Sequence, residues 1–167
     1  MNFDYMKSAP DFAQLHSYCC EAEEFALTRP NISVTAARKA MEYVVKLVFW
    51  WATGYDQCLT VYEMTTDQRF LQYINDQVLL NSIHYIRKMG NIAVHEGNMT
   101  AEDSVAVLEQ LHFLVGEICI WAQAVEDYPE FEKPVLQTTP VAAAPAAQAA
   151  PAAAPAPAAA PAPVAAE

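Results

Sequence analysis

The sequence predicts an all-α fold, a compact bundle of four to five helices followed by a disordered tail. Three observations carry that expectation. From Phe12 to Val125 the apolar residues recur at intervals of three and four, the period of a helix face, and nothing alternates with the period of two that strands need. Capping residues, glycines and prolines stand at the ends of these periodic runs. The last 33 residues, Val135 to Glu167, hold 17 Ala and 7 Pro and a single charge at Glu167. Alanine buries little apolar surface, and proline interrupts any helix. The expected organisation is therefore a folded domain over residues 1–134 and an Ala/Pro-rich tail or linker over residues 135–167. As polyproline II, at about 3.1 Å per residue, such a tail spans at most roughly 100 Å. Spacers of this kind usually join two folded units.

The first helix is expected to open at Ser8, with Pro10 in its first turn and Asp11 three residues on, as in a capping box. Phe12, Leu15, Cys19, Ala22 and Ala26 form its apolar face, with Glu21 and Glu24 off it, and Pro30 closes the run. A second helix is expected from near Ser33 to Gly54, which serves as its C′ residue. Its main stripe is Val34, Ala37, Met41, Val44, Val48 and Trp51, with Ala40, Leu47 and Trp50 beside it. From Tyr43 to Ala52 only Lys46 interrupts the apolar surface, so this stretch is either central in the bundle or covered by a second copy in a homodimer.

Residues 55–68 are rich in turn formers and receive no assignment. Thr66–Asp67 cap a short helix carrying Phe70, Leu71 and Ile74. Asn75–Asp76 cap a longer one through Val78, Leu79, Ile83 and Ile86, with a kink expected at Gly90 and an end at Gly97. The last helix starts at Thr100, with Asp103 completing a capping box, and carries Val107, Leu111, Leu114, Ile118, Trp121 and Val125. Pro129 and Pro134 close the domain.

The net charge of −11 leaves −10 on the domain once Glu167 is set aside. Nine Lys and Arg are scattered, with tight pairs only at Arg38–Lys39 and Arg87–Lys88. That excludes a non-specific duplex binder, which needs a basic stripe, but leaves room for a local site for a few phosphates. The longest unbroken apolar runs, Leu47–Ala52 and Phe113–Val115, fall short of the roughly 20 residues of a spanning helix, so no membrane contact is expected. The start has no secretory pattern. The four cysteines, Cys19, Cys20, Cys58 and Cys119, form no CxxC pair. Buried reduced thiols at Cys19 and Cys119 and a cytoplasmic location are the expectation.

Ile83 to Gly97, IHYIRKMGNIAVHEG, is the stretch richest in chemistry. On a helix, Arg87, Asn91 and His95 stand at i, i+4 and i+8, within roughly 80° of one another, and His84 falls in the same arc. Arginine holds a phosphate through two hydrogen bonds, and a histidine near its ordinary pKa moves protons at neutral pH. Those are the parts needed to activate a ribose 2′-hydroxyl and to stabilise a cyclising phosphate. The same residues also suit a structural role. Arg87 and Asn91 then bond carboxylates of neighbouring helices, with Glu23 and Glu42 as candidates, and His95 bonds the last carbonyls of its own helix. Arg38 and Glu42 make an i, i+4 ion pair. His16 and His112 fall on or beside apolar stripes and read as core or boundary residues. His84 and His95 are eleven apart with no third ligand at metal spacing, so neither a metal nor a cofactor is expected. No glycine-rich phosphate loop or GxSxG is present.

With its arginine, Gly-Asn step and closing Ala-Val-His, Ile86–His95 resembles the signature of a HEPN-like family. Members of that family often sit at the N-terminus of type I restriction enzyme R subunits. The resemblance extends to Ala22–Glu23, Pro30, Arg38 and Glu42, and to the exit through Trp121, Pro129, Phe131 and Pro134, and so covers roughly residues 11–134. It implies a helical module of a bacterial restriction or antiphage system, usually a homodimer, with RNA or a nuclease–helicase portion as partner and the tail as spacer. Many HEPN domains are metal-independent ribonucleases in which an Arg and a His from each protomer meet across the dimer. Arg87 and His95 are the matching pair, with Asn91 between them and Glu23, Arg38, Glu42 and His84 as a supporting polar network. Here seven residues, Lys88 to Val94, separate the pair. That is longer than the ribonucleases keep, so an interaction role is expected ahead of cleavage.

Overall fold

In a computed structural model, which describes residues 1–55 and 59–135, six α-helices follow two short 3-10 turns at Asp4–Ser8 and Pro10–Phe12. The helices are α1 (Ala13–Phe25), α2 (Pro30–Thr53), α3 (Val61–Thr66), α4 (Gln68–Ile74), α5 (Gln77–His95) and α6 (Ala101–Trp121). No strand occurs among the described residues. The all-α expectation holds, with one or two more helices than expected. Cys58 and the expected disordered tail, apart from Val135, lie outside the described residues.

The centre of the bundle is α2, which packs against each of the other five helices. Its main stripe explains this: Val34, Ala37, Met41, Val44 and Val48 are fully or almost fully buried, as are Val45 and Phe49 from the flank. Of the neighbouring stripe Ala40 is buried, but Trp50 is 54% exposed. Of the two alternatives for Tyr43–Ala52, the central position is what the fold shows, with Trp50 left uncovered at its edge.

Several boundaries differ from the sequence reading. Ser8 caps no helix; its hydroxyl donates to the Tyr5 carbonyl, and α1 begins five residues later. Pro30 does not only end the first run. It occupies the first turn of α2, where a missing N–H costs nothing. Ser33, expected at the helix start, is buried inside α2: it donates to the Ala22 carbonyl at 2.6 Å and accepts from Ser104 at 2.9 Å, joining α1, α2 and α6. The α5 helix runs unbroken through Gly90 to His95. The α6 helix stops at Trp121, before Val125. Gln123 (φ 56°) takes the left-handed position, with Ala124 N–H bonded to the Cys119 carbonyl and Gln123 N–H to that of Ile120. This is a Schellman end without its usual glycine.

By length and composition α6 is apolar enough to cross a membrane, although charged residues interrupt its apolar runs. Burial accounts for its character: Val107, Leu108, Leu111, Leu114, Val115 and Ile118 all lie in the core, and the helix packs on α2 and α5. Both ends of the domain lean on the same helix. Phe3, Tyr5, Tyr128 and Phe131 gather round the buried His112 with ring centroids 5.4–5.9 Å from it. Asn2 ties the two segments together, donating to the Glu132 carbonyl at 2.9 Å and accepting from the Glu132 N–H at 2.8 Å. Cys19 and Cys119 are buried free thiols, and burial pushes Cys119 up to about 11.

Candidate functional site

Two i, i+4, i+8 stripes meet where α2 and α5 pack. On α2 the stripe is Arg38, Glu42 and Lys46; on α5 it is Arg87 and Asn91, with His95 next in line. Arg38 joins them, since its Nε donates to Glu42 Oε1 at 2.9 Å and its Nη1 to Asn91 Oδ1 at 2.7 Å. This close approach depends on Gly90. A Cβ there would stand 2.7 Å from Arg38 Cδ and 2.8 Å from its Cβ, so only a glycine lets the arginine stem lie across α5.

The third wall comes from α3 and the residues before it. Leu59, Thr60, Val61 and Tyr62 complete, with Arg38, Glu42, Lys46, Arg87 and Asn91, a cleft of about 350 Å³. A capping box holds this wall, with Thr60 N–H donating to Glu63 at 2.7 Å and Glu63 N–H to the Thr60 hydroxyl at 3.3 Å. The Arg87 guanidinium carbon lies 6.0 Å from the Tyr62 ring centroid, at the outer limit of a cation–π contact. Arg87 Nε is buried and has no hydrogen-bond partner among the described residues.

Arg38 and Glu42 form the expected ion pair, but Asn91 bonds the Arg38 guanidinium rather than a carboxylate, and Arg87 lines the cleft without bonding either Glu23 or Glu42. His84 stands one turn before Arg87 with its ring partly desolvated, and that desolvation, with the Arg87 charge second, lowers its pKa from the ordinary value. His95 lies outside the cleft, exposed in the last turn of α5. The turn after that helix is held by Asn31, which donates to the Gly97 carbonyl at 2.8 Å and accepts from Met99 N–H at 3.1 Å. Glu23 does not belong to this network. Its carboxylate accepts from Asn2 N–H and Asn2 Nδ2 at 2.9 Å, because α1 packs on α2 and α6 rather than along α5.

Lys46, Leu59, Thr60, Val61 and Tyr62 are the cleft residues that the sequence reading missed. Lys46 was legible as the next step after Arg38 and Glu42. The Thr60–Glu63 spacing is itself a capping-box signal within the stretch left unassigned. A second and larger cavity, of about 740 Å³, shares no lining residue with the cleft; Phe12, Tyr43, Trp50, Trp51, Tyr73 and Trp121 line most of it.

The fold and the cleft together define a small all-helical domain with a basic site between its two central helices. Set against protein-family models, curated proteins and solved structures, the chain matches none.

Proposed function

We propose that the chain is a HEPN-like helical module of a bacterial restriction or antiphage system, acting in the cytoplasm through contacts with a protein or a nucleic acid. The observation that carries this reading is the α5 face, where Arg87 and Asn91 enter a cleft and His95 stands exposed two turns further on. The defence setting rests on the resemblance of Ile86–His95 alone. Binding is favoured over cleavage because Arg87 and His95 are about 12 Å apart along the helix axis. One protomer therefore does not bring both to a single phosphate.

The second reading is a metal-independent ribonuclease with Arg87 holding the scissile phosphate and His95 moving the proton. It needs a second copy to complete the site. The uncovered aromatic edge around Trp50 and Trp121 is the homodimer contact we infer; it shares no lining residue with the cleft, so the ribonuclease reading further requires a contact that reaches the α5 face. The test is incubation of end-labelled RNAs with the purified chain in the absence of metal, beside Arg87→Ala and His95→Ala. RNA retained without cleavage, and released by Arg87→Ala, supports the binding module. Cleavage lost in His95→Ala replaces it with the ribonuclease. Neither retention nor cleavage at low salt, where phosphate contacts are strongest, leaves a structural dimerisation tether.

A further inference from the structure

We propose that the aromatic cavity at the C-terminal ends of α2 and α6 binds a quaternary-ammonium group. Its lining comes first. Of the residues around its roughly 740 Å³, six are aromatic, and they include all three tryptophans of the chain, Trp50, Trp51 and Trp121. Leu47 is the one large aliphatic residue among them. Trp50 is 54% exposed, Tyr73 48% and Trp121 39%, so the rings at the mouth are not spent on the core. An aromatic ring carries negative charge on its face and attracts a cation placed within about 6 Å of its centre.

The field of the cavity has the same sign. Asp11, which is exposed, is the one charged residue among the described residues that line it. The two longest helices also end there. α2, of 24 residues, closes beside Gly54, and α6, of 21 residues, closes at Trp121 and Ala122. Each helix C-terminus carries a partial negative charge of about half a unit, which a basic residue in the last turn offsets. Neither helix has one. With a net charge of −11 on the chain, an anion is repelled from this cavity and a cation is drawn to it.

The kind of cation follows from what the walls lack. A divalent metal takes six or more oxygen ligands, and no group of three His, Cys, Asp or Glu side chains stands ready for a metal among the described residues. A primary ammonium is strongly hydrated and has three donors to satisfy, against a single carboxylate at Asp11. A quaternary ammonium has no donor, spreads its charge over apolar methyl groups, and is the cation that aromatic cages recognise. The volume lies within the range of small-molecule sites and leaves room beyond a trimethylammonium head. One protomer supplies the whole site, and it shares no lining residue with the α2–α5 cleft, so the inference does not rest on the HEPN-like reading. Trp50 and Trp121 serve both the cavity and the homodimer contact inferred above, so a bound cation and a second copy compete.

Fluorescence titration of the full chain tests it, because every tryptophan lies at the cavity. The probes are choline, benzyltrimethylammonium and the neutral tert-butyl isostere of choline. We expect both cations to bind, and the isostere to bind about five-fold more weakly than choline or worse. Trp50→Leu, an apolar change at a half-exposed position, and Asp11→Asn should each lower cation affinity about three-fold or more, the second also flattening its salt dependence. Phosphatidylcholine vesicles separate two sources of the group. Retention on them assigns a lipid headgroup, and binding of the free cations alone assigns a soluble compound. The proposal is overturned if neither cation binds the folded protein, if the isostere binds as tightly as choline, or if both variants bind unchanged. Absent cation binding together with dimers that Trp50→Glu abolishes gives the cavity to a second copy instead. RNA retention and cleavage are read at the α5 face, so the functional reading above and this site fail separately.

Discussion

At Gly90 a missing side chain lets Arg38 lie across α5, and the Arg38–Asn91 bond follows from that approach. Gly90→Ala is expected to push Arg38 away and destabilise the fold by about 1–3 kcal/mol, as overpacking does, despite alanine's better helix propensity. Urea denaturation measures it, and a stabilised variant would remove Arg38 from the account. His112 makes a second residue-scale case. Burial lowers its pKa, against the opposing effects of the Asn2 backbone and the Glu23 charge, so the folded state keeps the ring neutral. On acidification the unfolded chain takes up this proton first, near the ordinary value of about 6.5. The unfolded state then binds more protons, and stability falls with falling pH. His84 shifts in the same direction. The discriminating comparison is therefore His112→Asn, which should lose less stability than the parent between about pH 7.5 and about pH 5. Equal losses would clear His112. Neither feature was fully legible in the sequence. His112 read as a core or boundary residue from its place by an apolar stripe, but Gly90 read as a kink, because a glycine in a helix says nothing of what crosses it.

The helix ends divide into those with a side-chain signature and those without. Asp67, Asp76 and Thr100 are the caps the sequence pointed to. For α1 and α2 the structure has no side-chain cap at all, since Phe12 and Arg29 stand at their N-cap positions. These ends are set by packing and by Pro30, which is why the reading missed them by several residues. The two capping boxes should behave differently when broken. Thr100→Ala, at the head of a core helix, is expected to lower global stability by about 1 kcal/mol, readable in thermal denaturation. Thr60→Ala, at the head of the six-residue α3, should act locally. Amide exchange over residues 61–66 should quicken while the midpoint of unfolding barely moves. A global loss equal to that of Thr100→Ala would mean α3 is part of the cooperative core rather than a wall laid against it.

For the whole molecule the open question is what meets the aromatic cavity. Trp50, Tyr73 and Trp121 are exposed there on α2, α4 and α6. If a second copy covers it, sedimentation equilibrium should show concentration-dependent dimers. Trp50→Glu should abolish them with little change in thermal stability, because the side chain is already half in water. Dimers that persist in Trp50→Glu would place the interface elsewhere.

By itself the sequence determined the helical class, the order of the long helices, the main stripe of α2, and the presence of Arg87, Asn91 and His95 along one helix face. Those are consequences of local periodicity and capping, which a single segment carries alone. Tertiary structure decided which of these residues share a site. It brought Arg38 and Lys46 to Arg87, added Tyr62 from an unassigned segment, left His95 outside, and sent Glu23 to Asn2. The physical reason is that a polar residue's partners are chosen by which helices pack together. That choice is made by the apolar stripes of the whole bundle, not by the spacing of the polar residues themselves.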